Sequence, residues 1–276
     1  MGRRERPGAP DRRRASVATA RSGVARVSGF VGAVQFLTRI PVRTSYAIPH
    51  SKVVPWFGVV GALIGAAVGG VAVGLGELVP ASVAAALAVV AGLLITGAFH
   101  EDGLADIADA FGGGVTVERR LEILKDSRHG TYGVAALTGS VVVRVVAAAS
   151  IVSSASVFAA FVAAHALGRT AAVLAMRSAP PASESGLGAS AGRELSPIPT
   201  ALGVVAGVSI VAALTGWWVL PLMAAAALAT AAVVVLAVRK IGGLAGDVLG
   251  AVEQVTECAV LVVVSGLAMH HDLWWR

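Results

Sequence analysis

An all-α, polytopic membrane bundle is the fold class this sequence predicts, and three observations carry that prediction. The 276 residues are 56% hydrophobic and only 14% charged, against roughly 25% charged in a soluble domain, with a mean hydropathy of +0.80. Apolar runs of about 20 residues, the length that crosses a bilayer, recur along the chain. Basic residues fall in alternate loops between those runs. The expectation is about seven transmembrane helices plus an N-terminal interfacial helix. Residues 1–26 form an arginine-rich, disordered cytoplasmic tail, and 27–276 a single membrane-embedded catalytic domain.

The tail holds eight arginines against Glu5 and Asp11, so the net charge of +6 resides there and the remainder is neutral. Clustered before the first hydrophobic segment, these cations read as a topology signal and an anionic-lipid contact, not as a nucleic-acid surface. No compact apolar region with a small-residue cleavage site follows directly, so the tail does not read as a signal peptide. The stretch VARVSGFVGAVQFLTRIPV, about 24–42, is apolar on one face and flanked by Arg26, Arg39 and Arg43, which predicts a helix lying along the membrane. Crossings are expected at roughly 53–76, 81–99, 131–151, 153–176, 199–219, 220–238 and 248–268. With the N-terminus inside, Arg119, Arg120, Lys125 and Arg128 share one inner loop, Arg177 and Arg193 the next, and Arg239 and Lys240 a third. The outer turns keep only Glu77, as the positive-inside rule requires. Trp274 and Trp275, at the outer C-terminus, read as interface anchors. Cys258 is the only cysteine, which excludes a disulfide within the chain and a cysteine-based zinc site.

The chemistry concentrates in HEDGLADIADAFGGG, His100 to Gly114. Of the 14 acidic residues outside the tail, seven lie between Glu101 and Asp126. On a helix Asp102, Asp106 and Asp109 stand at i, i+4 and i+7 and share one face, with no Lys or Arg at helical spacing to neutralise them. Such a face repels itself unless a cation joins it, and hard oxygen donors favour Mg²⁺ over zinc. His100 could ligate the metal or act as a base. In the following VERRLEILKDSRHGTYG, Arg119 and Arg120 read as a topology pair. Lys125, Asp126, Ser127 and Arg128 stand closer to the next span and suit the phosphates of a polyanionic substrate such as a diphosphate. A second acidic segment, GGLAGDVLGAVEQVTE, sets Asp247 between Gly246 and Gly250 and carries Glu253 and Glu257 into apolar sequence. Carboxylates in a membrane helix are functional candidates by default. Asp247 and Asp102 are expected at the same cytoplasmic depth, which allows one shared metal site. Arg169 and Glu257 are second-site candidates, Arg144 is expected in a structural ion pair, and His165 as a satisfied helix contact.

These residues resemble the adenosylcobinamide-GDP ribazoletransferase, or cobalamin synthase, family. The similar segments are FLTRIPV (Phe36 to Val42), FHEDGLADIADAFGGG (Phe99 to Gly114), RRLEILKDSRHGTYG (Arg119 to Gly133) and GGLAGDVLGAVEQVTE, in family order over about 30–270. The resemblance implies a Mg²⁺-dependent enzyme of the cytoplasmic membrane, with its active-site loops inside. It joins adenosylcobinamide-GDP to α-ribazole, or its 5′-phosphate, giving adenosylcobalamin, or its 5′-phosphate, and GMP. A homo-oligomer is compatible with it, and nucleic acid is not among its partners. It implies that Asp102, Asp106 and Asp109, with Asp247 as a further candidate, hold the metal. Lys125 and Arg128 steady phosphates, and His100 or a carboxylate assists the incoming hydroxyl. Three positions depart from the family pattern: the loop ASESGLG lacks a basic run, His129 stands where an aliphatic residue is usual, and Gln254 where some members carry Glu. Two other classes predict different patterns. An ion-coupled transporter needs carboxylates at mid-membrane and an inverted repeat. A CDP-alcohol phosphotransferase needs an Asp before, and an Arg after, a pair like Asp102-Gly103.

Overall fold

A computed structural model describes residues 28–42, 48–182 and 195–276. The expectations for the tail over 1–26 and for most of the ASESGLG loop lie outside the described residues. Their regular structure is helical, apart from one isolated bridge between Pro181 and Leu244. Helix α1 is Ser28–Leu37. Helix α2, His50–Val53, runs through a 3-10 turn at Val54–Trp56 into α3, Phe57–Gly76. Then come α4 (Ala81–Thr96), α5 (Phe99–Gly113), α6 (Val117–Ile123), α7 (Thr131–Ala149) and α8 (Ser154–Ala175). The chain closes with α9 (Pro197–Thr215), α10 (Val219–Ile241) and α11 (Gly246–Ala268).

Five helical stretches are long and apolar enough to cross a membrane, six if α4 and α5 count as one bent span. One of the five, Pro197–Ile241, is 45 residues long. At 1.5 Å per residue that is about 67 Å, twice a bilayer core of about 30 Å. It breaks at Gly216, whose φ of +59° starts a turn, and Val208 of α9 and Met223 of α10 line one groove against α8. Its two halves therefore fold back against α8 rather than run on as one rod. Expected as interface anchors, Trp274 and Trp275 also donate their indole N–H groups to the carbonyls of Ala213 (3.1 Å) and Leu214 (2.8 Å), satisfying the orphan end of α9.

Helix α8 is the axis of the bundle. Its apolar window is 83% buried, against 22% for Pro197–Ile241, which turns most of its surface to lipid. The sequence AFVAAHALGRTAAVLA lets neighbours approach α8 closely, as small residues do in membrane bundles. Gly65 of α3 lies so near Val162 that a Cβ there would come within 2.7 Å of its Cα. Helix α1 spans ten residues, about 15 Å, too short to cross. Ala33 and Leu37 are buried in the main core, and the Arg39 backbone N–H donates to the Ile95 carbonyl at 2.7 Å. The motif FLTRIPV thus docks α1 onto the ends of α3 and α4.

One expected crossing ends early. The 81–99 span stops at Thr96, because Gly97 and Ala98 both take left-handed backbone (φ +71° and +55°) and α5 leaves at 93° to α4. Ala98 is the only non-glycine with positive φ among the described residues, a conformation that costs roughly 1–2 kcal/mol in an L-residue. That bend turns the acidic segment across the ends of α7 and α11.

Candidate metal centre

Helix α5 is fixed by a crossing in which backbone meets backbone. A Cβ on Gly103 would stand 2.9 Å from the Asp247 carbonyl and 3.1 Å from its Cα, and one on Gly250 would stand 3.1 Å from the His100 carbonyl. Only glycine at both positions permits this approach. It sets Asp102 and Asp106 of α5 beside the first turn of α11, where the like charges of Asp102 and Asp247 both act on Asp106. The shared depth expected for Asp102 and Asp247 is what the helix crossing produces.

The third member of the cluster is His129, a departure from the family pattern to which the sequence assigns no role. Its Nε2 lies 3.3 Å from Asp102 Oδ1 and its Nδ1 3.4 Å from Asp106 Oδ1. One ligand atom from each of the three falls within 4.8 Å of the others. Asp102 is exposed, with 63% of its side chain accessible, and Asp106 much less so at 16%. Two carboxylates, an imidazole and a third carboxylate nearby suit a hard divalent cation that keeps part of its water shell. The signal that could have found His129 is its distance of two residues from Lys-Asp-Ser, in the loop that must return over α5.

Asp109 goes elsewhere. Its Oδ2 accepts from the Gly130 N–H at 2.6 Å and its Oδ1 from the Gly133 N–H at 2.9 Å, so both oxygens hold the start of α7. A Cβ on Gly130 would come within 2.7 Å of Asp109 Oδ1, which explains the glycines of GTYG. The face shared by three aspartates therefore divides: two face the cluster and one closes the loop over it. Within that loop Arg128 donates to Asp126 through Nε (3.0 Å) and Nη2 (2.7 Å). The Arg128 side-chain bond, then its backbone N–H, push the Asp126 carboxyl down to about 2. Lys125, Ser127 and Arg128 are exposed beside the cluster. Arg120, read as a topology residue, also ties α6 to the Lys240 carbonyl at 2.9 Å.

The remaining candidates belong to a different site. Glu257 stands ten residues beyond Asp247, about 15 Å along α11 and so near mid-membrane. Its Oε1 accepts from Arg169 Nη1 at 2.6 Å and its Oε2 from Arg144 Nη1 at 3.3 Å, while Arg144 also donates to Glu101 at 3.0 Å. His165 pairs with Glu257, and Arg169 also pairs with Glu253. Glu101, one of four acids in the HEDGLADIAD run, thus points into the bundle. Arg144 is in the ion pair expected of it. Side chains of His165, Glu253 and Glu257 could by themselves group around a metal, but the Arg169 guanidinium already takes the cation's place among them. The carboxylates do reach mid-membrane, as a transporter would need, yet each is matched by arginine. His100, 5% exposed, lies between the two sites, with Nδ1 3.6 Å from Glu253 Oε2.

Comparison with known proteins gives the family. A family model described as cobalamin-5-phosphate synthase, CobS, matches residues 29–265. A relative from Bradyrhizobium diazoefficiens is 40% identical over 243 residues, 86% of this chain and 93% of its own, and is named adenosylcobinamide-GDP ribazoletransferase. Relatives of the same name from Azorhizobium caulinodans (39%, covering 89% and 98%) and Vibrio cholerae (35%, covering 87% and 94%) are similarly complete. No solved structure matches. The matched residues run from α1 into the last turns of α11 and so include both acidic segments and the loop that closes over them: the chain belongs to the CobS, cobalamin-5-phosphate synthase, family.

Proposed function

We propose that this chain transfers the cobinamide phosphate of adenosylcobinamide-GDP to α-ribazole, or its 5′-phosphate, at the cytoplasmic face of the cell membrane. A ribazole hydroxyl attacks the cobinamide-linked phosphorus, the bond to the second phosphate breaks, and GMP leaves. The hydroxyl proton passes to a carboxylate of the cluster, of which Asp102 is the most exposed, or to His100. The observation that carries this reading is an acidic cluster that no Lys or Arg among the described residues neutralises, Asp102 and Asp106 around His129 beside Asp247, next to a loop bearing Lys125 and Arg128. Those four residues would hold Mg²⁺, with Asp109 acting through the loop. When bound, the metal supplies charge neutralisation for diphosphate oxygens and for the departing phosphate. Arg128 is already oriented by Asp126 and can offer its outer N–H groups to phosphate. The names of the relatives support the substrates, and the arginines and lysines at the same end as the cluster support the orientation.

The test is detergent-purified protein with adenosylcobinamide-GDP, α-ribazole and Mg²⁺. GMP and a cobalamin product should appear together, stop with a chelator and return with added Mg²⁺. Folded protein that releases no GMP overturns the reading.

A further inference from the structure

Away from both acidic regions, helices α8, α9 and α10 leave a groove of about 450 Å³ between them. Its walls are apolar, with Leu167 and Leu174 of α8, Val208 of α9, and Met223, Ala231 and Val235 of α10. Thr230, the threonine that α10 adds to the lining, donates its hydroxyl to the Ala226 carbonyl at 2.7 Å, so that wall offers no free donor. Leu174 is 53% and Met223 42% exposed, and the open side of the groove therefore faces hydrocarbon in a bilayer. Along α8 the lining runs from Leu167 to Ser178, eleven residues or about 16 Å at the helical rise. Half of a bilayer core is about 15 Å, so the groove has the depth of one leaflet.

Charge enters at its mouth. Ser178 lies at the end of the bundle that carries the acidic cluster, since Pro181 bridges to Leu244 just ahead of α11. Arg177 follows Leu174 by three residues and Arg239 follows Val235 by four, so each continues a groove-lining face by one turn. The Arg177 N–H still bonds to the Leu174 carbonyl at 3.2 Å. Its Nη1 donates to the Leu195 carbonyl at 3.0 Å, which holds the guanidinium between the end of α8 and the start of α9. Both arginines are exposed. Arg119, Arg128, Arg144 and Arg169 each have a carboxylate partner; among the described residues Arg177 and Arg239 have none.

We propose that this groove binds one anionic glycerophospholipid, with an acyl chain along α8 and the phosphodiester between Arg177 and Arg239. Charge complementarity selects this occupant over two others that the apolar walls would accept. A zwitterionic lipid brings a cation of its own to a mouth that already holds two. A second copy of the chain brings its basic helix ends, Arg119 to Arg128 among them, against the same arginines. The phosphodiester supplies the anion that the chain does not, and guanidinium groups grip phosphate oxygens in pairs. The site stands apart from the acidic cluster and does not depend on the proposed transfer. The stretch Pro197–Ile241 keeps only 22% of its apolar window buried, so a lipid wedged against α8 adds packing where the bundle has least of it, and stabilises the folded state by binding it.

The test is native mass spectrometry of the full-length protein in detergent, given equal amounts of phosphatidylglycerol and phosphatidylcholine with the same acyl chains. The most strongly retained adduct should be phosphatidylglycerol, favoured about 30-fold, or about fivefold for each arginine near the head group. Arg177→Gln should cut that preference about fivefold, and Arg177→Gln with Arg239→Gln should bring the two lipids to parity. Ala231→Phe, at an exposed position of the lining, fills the groove and should remove the adduct whatever its head group. Phosphatidylglycerol should also raise the thermal midpoint of the wild type and not that of the double arginine variant. Equal retention of the two lipids by the wild type, or a preference that survives both glutamines, overturns the proposal. So does an adduct undiminished in Ala231→Phe, or a dimer of this chain that Ala231→Phe dissolves.

Discussion

Two acid-rich regions lie side by side in this bundle and differ in what answers their charge. At the helix ends, Asp102, Asp106 and Asp247 converge with His129, and among the described residues no arginine or lysine pairs with them. Some 15 Å deeper, Glu101, Glu253 and Glu257 converge with Arg144 and Arg169, all nearly inaccessible. A buried charge persists only when paired, and each acid of the deep network has an arginine partner, so that network serves the architecture. The cluster at the ends keeps its repulsion because water and a bound cation can relieve it. Acidity by itself does not mark a site: unanswered acidity does.

The comparison makes opposite demands of substitutions in the two regions. Glu257→Ala should have the largest effect, since it leaves Arg144 and Arg169 facing each other without a shared anion. Breaking a buried pair costs about 3–5 kcal/mol, a fall in thermal midpoint on the order of 10 °C, read by melting the protein in detergent. An unchanged midpoint would mean the deep network is not structural. Asp106→Asn should do the reverse, leaving the midpoint unchanged or higher while GMP release falls by about 10²–10³-fold. Full turnover in that variant removes Asp106 from the metal site. Gly103→Ala tests the crossing that joins the regions. The added methyl meets the Asp247 backbone, and overpacking of about 1–3 kcal/mol should lower midpoint and turnover together; loss of only one would separate fold from site. Asp109→Asn should be mildest, about 1 kcal/mol for a weakened cap on α7, with partial activity because the loop carrying His129 loosens. Complete loss of Mg²⁺-dependent activity at normal stability would instead place Asp109 among the ligands.

Much of the fold was legible because lipid leaves few alternatives: backbone groups must be satisfied within a helix, so apolar length reads as a crossing. The segments near 131–151, 153–176 and 248–268 match α7, α8 and α11 to within a few residues. The bend at Gly97 was not legible, because Ala98 in left-handed backbone contradicts its own preference and is held by the surrounding packing. For the same reason HEDGLADIAD read as one acidic face, although its members go three ways. Glu101 turns inward to Arg144, Asp102 and Asp106 to His129, and Asp109 to the α7 start. Residue type alone assigns His129 no role, because it carries no information about where a loop returns.

By itself, the sequence determined a membrane bundle, its approximate crossings, the family and the two acidic segments that matter. Those are properties of composition, period and local motif, each expressed within a few turns of chain. Tertiary structure decided which acids share a site, because helices whose contact glycines lie 147 residues apart cross at Gly103 and Gly250. It decided that Arg169 and Glu257 neutralise each other rather than a substrate. Charge pairing and close approach act through space, and only the packed bundle fixes who stands opposite whom.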